Sequence, residues 1–301
     1  MRHRLGALAL LPLLACVEVT APGAPDITIE QTGGSGTGTC ECDATALGER
    51  VFRFTRLEID EPEALASTLN SMWAGELAGN SLNVLFHVLE AEAGTGVAFE
   101  SIRLAAGPGW HSPTTTAPLT DEEIDSYCLL PDMEVEIEME PYHGYQCVFK
   151  SAQSTSLLFH LGPQTEPMVC SPLLDAPNTT PIKDLKVRFG FNEDCTAIED
   201  GFLDGCILEA EAQRICMCLI AGTCPTPEAP ETPFDPDDLS GYCGDACGGG
   251  WISFGSIIKS FGLRQSCVDA DGRQGFRLQA FFDAEDVGAR FNPVASADCS
   301  E

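Results

Sequence analysis

The clearest pattern in the chain is the alternation of apolar and acidic residues from Met133 to Glu140. Because successive side chains of a strand point to opposite faces, this period of two predicts a strand with one buried and one solvated face. The acidic face consists of Glu134, Glu136, Glu138 and Glu140. Neighbours on it would stand about 6.6 Å apart, too far for them alone to enclose one ion. We therefore interpret them as the solvent side of a sheet.

Several other segments have the composition of strands. In the run from Val51 to Ile59, the alternating apolar residues change phase: Phe52 and Phe54 occupy even positions, whereas Leu57 and Ile59 occupy odd ones. A bulge near Arg56 would place both pairs on the same face of one strand. A strand covered on both faces is predicted at 82–89, because apolar and β-branched residues follow one another there without interruption. Further strands are predicted at 97–104, 157–161, 185–191 and 276–282.

Helices are predicted at fewer places. The first follows Asp60-Glu61-Pro62, with Asp60 as its N-cap and an apolar stripe that ends at Trp73. A capping-box spacing predicts a second helix start at Thr120, and a third helix is predicted over 205–221, in which Cys216 and Cys218 would face different sides. The fold class is therefore α+β or mainly β, with a few helices.

The first residues of the chain have the build of an export signal. A basic start, Met1 to Arg4, precedes an apolar core from Leu5 to Leu14 that is too short to span a bilayer. The phrase Leu13-Leu14-Ala15-Cys16 resembles the lipobox of bacterial lipoproteins. That resemblance implies cleavage before Cys16 and a lipid on its thiol, and Val17, standing where an inner-membrane protein often has aspartate, favours the outer membrane. An ordinary secretory signal is the alternative.

Three segments follow from this interpretation. Residues 1–15 form the signal peptide, and residues 16–42 form the lipidated cysteine and a flexible tether rich in Gly, Thr, Pro and Ser. Residues 43–301 form a disulfide-rich, extracytoplasmic globular body. Within it, residues 225–238 are rich in Pro, Glu, Thr and Asp and predict an exposed loop.

Fourteen cysteines remain after Cys16, and an even number in an oxidising compartment predicts up to seven disulfides. Neighbours Cys40 and Cys42 are too close for an unstrained bridge, whereas Cys243 and Cys247 could pair or, less simply, bind zinc. The fourteen are Cys40, Cys42, Cys128, Cys147, Cys170, Cys195, Cys206, Cys216, Cys218, Cys224, Cys243, Cys247, Cys267 and Cys299.

The charge of the chain limits its partners. With 16 basic and 46 acidic residues it has a formal net charge of −30, which argues against nucleic acid and permits divalent cations or a basic partner. Two aspartate clusters are weak candidates for calcium, since neither completes an EF-hand loop and aspartate is also a common turn former. They are Asp235, Asp237 and Asp238 in one loop, and Asp269 and Asp271 in another. No other cofactor is expected.

Motifs for catalysis are weak. The histidines at 87, 111, 143 and 160 lack the spacing of a zinc protease, and Ser256-Ile257-Ile258-Lys259 lacks the companion motifs of serine acyltransferases. The leading hypothesis is a non-enzymatic lipoprotein that is attached to the membrane through Cys16 and binds an unknown protein or small molecule. The alternatives are an envelope enzyme, with His143 beside Glu140 or Asp132 for example, and a calcium-stabilised adhesion module.

The body also resembles the cysteine-rich lipoproteins of the myxobacterial type. The residues that carry this resemblance are Leu69-Asn70 followed by Leu82 to Phe86, the phrase Asp200 to Gly205, and the turn from Asp269 to Gly275. The resemblance implies an extracytoplasmic lipoprotein, and it implies no activity.

Overall fold

The computed structural model describes residues 44–80, 82–93, 99–112, 126–129, 134–142, 147–160, 179–218, 251–263, 265–269 and 271–291. The strands are β1 (Val51–Glu61), β2 (Val84–Glu92), β3 (Ser101–Ser112), β4 (Ser126–Leu129), β5 (Val135–Pro141), β6 (Val148–Ser151), β7 (Thr155–His160), β8 (Thr179–Phe191), β9 (Ala197–Leu208), β10 (Cys216–Cys218), β11 (Trp251–Ser253), β12 (Cys267–Val268) and β13 (Gln274–Asp286). The helices are α1 (Ala44–Leu47), α2 (Glu63–Ala78), α3 (Glu209–Arg214) and α4 (Phe254–Ser260), and a 3-10 turn covers Gly288–Arg290.

Eight strands close into an antiparallel barrel, so the mainly β alternative of the sequence prediction is confirmed. Their order is β1-β2-β3-β5-β6-β8-β9-β13, and β13 pairs back to β1. Three further strands add to this wall, with β4 on β3, β7 on β8 and β12 on β13, while β10 and β11 form a separate pair. Each pair of neighbouring strands in this order is hydrogen-bonded, although β1 and β2 pair over only three residues.

Aromatic side chains fill the interior of the barrel. Phe54 stacks on Phe282 with ring centroids 4.3 Å apart, and Phe86 meets both rings edge-on. All three are fully buried. Burying one such ring contributes about 1.5 to 3 kcal/mol, so this cluster is a major source of stability.

The first strand contains the predicted bulge. Phe54 lies opposite Ala284 and Arg56 lies opposite Asp283, which leaves Thr55 as the extra residue. The extra residue changes the phase of the alternation, so that Leu57 and Ile59 are buried in the same core as Phe54. The bulge near Arg56 is therefore confirmed.

The predicted helix after Pro62 is confirmed as α2, but its start differs from the prediction. Pro62 occupies the N-cap position, while Asp60 belongs to β1. The strand extends to Glu61, which lies opposite Gln279 on β13, and this pairing holds Asp60 in extended backbone. Asp60 as N-cap was therefore wrong.

The helix predicted over 205–221 was largely wrong. β9 extends to Leu208, α3 covers only six residues, and Cys216 and Cys218 belong to β10. A Cβ atom at Gly205 would overlap the side chain of Ile182 on β8, so the close packing of the two strands requires glycine here. Pairing with β8 and β13 decides the structure here, against a local pattern that favoured a helix.

The strands predicted from periodicity are otherwise confirmed. In β5, Ile137 and Met139 are buried between exposed glutamates, as the alternation requires. β2, β3, β7, β8 and β13 overlap the other predicted runs, but β3 contains only residues 101–104 of the run predicted at 97–104 and continues to Ser112. The helix start predicted at Thr120 lies outside the described residues.

Candidate functional site

The wall of the barrel is incomplete between β1 and β2. The two strands pair only from Val51 to Arg53, where Arg53 lies opposite Leu85. Beyond Arg53, no described strand lies along this edge of β1, and α2 packs there instead. Leu69 and Trp73 of this helix enter the barrel core, so α2 closes the gap with side chains rather than with a hydrogen-bonded strand.

A surface cleft lies along this junction, and we call it the β1–α2 cleft. It has a volume of about 270 Å³. Its walls are Arg53, Thr55, Arg56, Leu57 and Glu58 of β1, and Asn70, Ala74, Leu77 and Ala78 of α2. Three of the four helix residues are apolar, and two of these are alanines, so the helix side of the cleft is shallow and presents few donors or acceptors.

At one end of the cleft, a side-chain amide takes the place of a neighbouring strand. The Oδ1 atom of Asn70 accepts a hydrogen bond from the backbone N–H of Ile59 at 2.6 Å, and its Nδ2 donates to the carbonyl of Ile59 at 3.1 Å. A strand partner would make the same pair of bonds. The main-chain groups of Ile59 therefore point toward α2.

At the other end, Arg53 joins the strand to the end of the helix. Its guanidinium donates to the carbonyl of Leu77 in the last turn of α2 and to Oδ1 of Asn83, which is buried. A cation at a helix C-terminus interacts favourably with the helix dipole. Asn83 in turn donates to the carbonyl of Asn80, so these bonds hold together β1, the end of α2 and the approach to β2.

Arg53 shares the ring of Tyr127 with a second arginine, and Glu285 lies opposite it on β13. Its guanidinium carbon is 5.4 Å from the centre of the Tyr127 ring, and that of Arg290 is 5.5 Å from the same ring. Burial lowers the pKa of Arg53, and nearby Arg290 lowers it further, although Tyr127 and Glu285 act in the opposite direction. The pKa of Arg53 is lowered overall, chiefly by burial.

The remaining arginine of the cleft is fully engaged in ion pairs. Arg56 donates to Asp283 at 3.1 Å and to Glu58 at 3.3 Å. The pKa of Arg56 is raised, because the hydrogen bond and charge of Asp283 outweigh the effect of burial. Arg53 differs from it, because no carboxylate among the described residues lies within ion-pair distance of Arg53.

Four of the fourteen predicted disulfide cysteines are seen as disulfides. Cys206 on β9 is joined to Cys267 on β12, across 61 residues of chain, and Cys147 and Cys195 are also disulfide-bonded. Cys128, Cys216 and Cys218 lie in β4 and β10. The others, and the predicted lipid site Cys16, lie outside the described residues: Cys40, Cys42, Cys170, Cys224, Cys243, Cys247 and Cys299.

The aspartates of the turn before β13 hold an arginine in place. Oδ2 of Asp269 accepts from Nε of Arg273 at 2.8 Å, and Asp271 accepts from the same guanidinium at 3.1 Å. Burial raises the pKa of Asp269, but the hydrogen bonds from Arg273 outweigh it and the pKa is lowered overall. Asp235, Asp237 and Asp238 lie outside the described residues. Calcium binding at either cluster stays a prediction.

The other residues considered for chemistry are dispersed over the barrel. His87 packs on Phe291 and His111 packs on Tyr127, each with centroids 4.9 Å apart. Lys259 pairs with Glu209 at 2.6 Å, whereas Ser256 is hydrogen-bonded to Ser253. Their different partners give no support to a serine–lysine pair.

The residues of the enzyme hypothesis are only partly described. Glu140 pairs with Lys150 at 2.9 Å. Its suggested partners, His143 and Asp132, lie outside the described residues.

Two features, a cluster of metal-binding side chains and a membrane-spanning helix, are absent from the described residues. Within those ranges, no group of three or more His, Cys, Asp or Glu side chains is arranged to hold a metal ion. Across the same part of the chain, no helix is both long and apolar enough to cross a bilayer.

Comparison with known protein families, with curated proteins and with solved structures finds no match to this chain. The candidate site therefore rests on the geometry of the β1–α2 cleft. No sequence pattern indicated this cleft, because Arg53 and Asn70 lie on different elements and neither belongs to a motif. The change of phase at Thr55 was a local signal that β1 is irregular there, but it gave no indication of the gap between β1 and β2.

Proposed function

We propose that this protein is a lipid-anchored lipoprotein of the bacterial outer membrane whose folded body binds a ligand without catalysing a reaction. The anchor half of the proposal rests on the signal pattern before Cys16 and on the flexible composition of residues 16–42. The resemblance to cysteine-rich lipoproteins of the myxobacterial type supports the same assignment. Such a tether would let the body reach a partner away from the lipid surface.

The observation that carries the binding half is the β1–α2 cleft. It combines a small apolar wall with the guanidinium of Arg53, which forms no ion pair with a carboxylate among the described residues. Polar groups placed around an apolar surface are typical of binding sites. None of the residues that line the cleft is a histidine, cysteine or serine, so its chemistry favours recognition over nucleophilic or general-base catalysis.

We further propose that the body is disulfide-rich. The disulfide Cys206–Cys267 and the bonded state of Cys147 and Cys195 support an oxidising location. Alkylation of the unreduced, denatured protein followed by intact-mass measurement counts the free thiols. We expect no alkylation of the fourteen body cysteines, whereas two or more alkylated thiols would contradict a fully oxidised scaffold.

The anchor is tested by metabolic labelling with palmitate in a Gram-negative host that produces the full chain. We expect label in the wild-type protein and in a Cys40→Ser control, and none in Cys16→Ser. Membrane fractionation should then place the wild type in the outer-membrane fraction. The same body produced behind an ordinary cleavable signal should be absent from that fraction. An unlabelled wild type with a mature N-terminus other than Cys16 would overturn the anchor half.

A further inference from the structure

We propose that the outer face of β8 binds an extended, acidic segment of another polypeptide. The surface consists of Lys183, Lys186 and Arg188 on β8, with the rings of Tyr142 and Phe202 beside Arg188, and we call it the β8 basic face. It shares no residue with the β1–α2 cleft. The inference therefore goes beyond the proposed function and does not depend on that cleft.

The three cations share one face of the strand. The pairing of β8 with β9 is irregular between Lys183 and Lys186, and this changes the phase of the alternation. The residues that alternate with the cations are buried in the barrel core, namely Ile182, Leu185, Val187 and Phe189. Lys183, Lys186 and Arg188 therefore all point away from the core.

These three cations form no ion pair among the described residues. In the same part of the chain, every arginine or lysine outside β8 pairs with a carboxylate, except Arg53 and Arg290 at the Tyr127 ring. The chain has 46 acidic and 16 basic residues, so a group of cations without carboxylate partners is unusual in it. The carboxylates of a ligand would complement them.

The carboxylates beside the two lysines do not pair with them. Asp204 lies opposite Lys186 on β9, but both of its oxygens accept hydrogen bonds from Arg277 at 2.8 Å. Asp184 directly follows Lys183 and is exposed, and it forms no ion pair among the described residues. The charges of both lysines are therefore accessible to a ligand.

Arg188 has no acidic residue directly opposite it. Its cross-strand neighbours are Phe202 on β9 and Lys150 on β6, and Lys150 already binds Glu140 at 2.9 Å. Glu199 lies opposite the residue two places further along β8, and it forms no ion pair with Arg188. The nearest groups across the sheet are thus an aromatic ring and a second cation.

Two aromatic rings hold the guanidinium of Arg188 in place. Its Cζ atom lies 5.5 Å from the centre of the Tyr142 ring and 5.5 Å from that of Phe202. Its Nε is buried without a hydrogen-bond partner among the described residues, whereas its terminal nitrogens are accessible to solvent. A guanidinium positioned in this way can bind a carboxylate through two hydrogen bonds and loses little side-chain entropy.

The spacing of the cations favours a polypeptide. Alternate residues of a strand are about 6.6 Å apart, which is also the spacing of alternate side chains on an extended ligand. Because the cations follow a strand face and do not surround one point, they suit a row of carboxylates better than a single anion. Repulsion by the net charge of −30 is screened beyond about 8 Å at physiological ionic strength, so local contacts decide binding.

Fluorescence anisotropy tests the proposal on the lipidated full-length protein in a neutral detergent at physiological salt. The probe is a dye-labelled, acetylated and amidated peptide, Glu-Thr-Glu-Thr-Glu. The matched peptide is Gln-Thr-Gln-Thr-Gln. We expect saturable binding of the acidic peptide and at least about tenfold weaker binding of the neutral one, because charge-assisted hydrogen bonds are stronger than neutral ones.

Substitutions locate the binding on the protein. Arg188→Gln should weaken binding of the acidic peptide by at least about tenfold. Arg103→Gln is the matched control, because it removes the same charge from an exposed position outside the β8 basic face, and it should change binding by less than about twofold. If Arg188→Gln fails to fold, as judged by circular dichroism, Lys186→Gln replaces it, with an expected loss of about threefold or more.

Each other outcome contradicts the proposal. Equal binding of the two peptides would remove the role of the carboxylates, and unchanged binding to Arg188→Gln would place the peptide elsewhere. An equal loss in Arg103→Gln would indicate a general effect of charge, and a loss in Ala74→Phe would place the peptide in the β1–α2 cleft. Displacement by inorganic triphosphate at lower concentration than by unlabelled acidic peptide would reassign the face to phosphate anions. If neither peptide binds while Cys16 carries palmitate, this inference fails and the anchor half of the proposed function stands.

Discussion

Two nearby strand junctions of the barrel, β9–β13 and β1–β2, are held together by different means. At the first junction, β9 and β13 pair along most of their length, from Gly275 opposite Leu208 to Glu285 opposite Ala197. At the second junction, β1 leaves β2 after three paired residues, and Asn70 and Arg53 connect the wall to α2. The β9–β13 junction is a continuous ladder, whereas the β1–β2 junction relies on a few side chains.

This difference suggests that the two junctions contribute differently to folding stability and to ligand binding. A continuous ladder satisfies its main-chain groups internally, so it offers a ligand only side chains. A wall closed by a helix depends on side-chain contacts, and the surface where the strand meets the helix forms the β1–α2 cleft. We expect substitutions at the β9–β13 junction to affect mainly folding, and those in the cleft to affect binding as well.

The largest effect is expected from Phe282→Ala on β13. Phe282 is fully buried and contacts the rings of Phe54, Phe86 and Phe189. Removing such a ring costs about 3 to 5 kcal/mol in the free energy of unfolding, measured by denaturant titration. Phe261→Ala is the matched control, because Phe261 is 51% exposed and its removal should change stability by less than about 1 kcal/mol. Similar losses for both would show that the aromatic core does not dominate stability.

The next effect concerns Glu76 on α2, whose pKa is raised by burial to about 7 from 4.5. Because the folded state holds this proton more tightly than the unfolded state, stability falls as pH rises from about 4.5 to 7, and the full cost is present above pH 7. Glu76→Gln should therefore stabilise the protein at pH 8 by up to about 3 kcal/mol and change it little at pH 4.

The control for this prediction is Glu63→Gln, an exposed carboxylate on the same helix. Thermal unfolding of wild type and both variants at the two pH values gives the comparison. An equal gain at pH 8 from both substitutions would indicate a general effect of removing negative charge, and would contradict a specific cost at Glu76.

Some of the features behind these predictions could be predicted from the sequence, and others could not. Alternation predicted β5, and the change of phase predicted the bulge at Thr55, because both patterns are local. The segment after Gly205 was predicted as a helix, since its strand conformation depends on pairing with distant residues of β8 and β13. The β1–α2 cleft was missed for the same reason. It forms because β2 stops pairing with β1 after Arg53, and no local pattern around Arg53 indicates where that pairing ends.

A smaller effect is expected at the cleft itself, from Asn70→Ala. This change removes two hydrogen bonds to Ile59 and should lower the free energy of unfolding by about 1 to 3 kcal/mol. Ser71→Ala, exposed on the same helix, should have little effect. Hydrogen exchange of the Ile59 amide should accelerate in Asn70→Ala and stay slow in Ser71→Ala. If exchange is unchanged in both, Asn70 does not substitute for a strand.

The smallest effect distinguishes two ion pairs by their burial. On β13, Arg277 binds Asp204 of β9 through two hydrogen bonds of 2.8 Å, and both side chains are partly buried. Arg103 reaches Glu90 at 3.0 Å where both side chains are well exposed. Double-mutant cycles to alanine should give a coupling of about 1 kcal/mol for the first pair and less than about 0.5 kcal/mol for the second. Added salt should reduce the second coupling more strongly, because water and ions screen exposed charges most effectively. A larger or salt-resistant coupling at Arg103 would mean that exposed ion pairs contribute to stability as much as the partly buried pair between β9 and β13. The difference in stability between the two strand junctions would then depend on surface charge as well as on strand pairing.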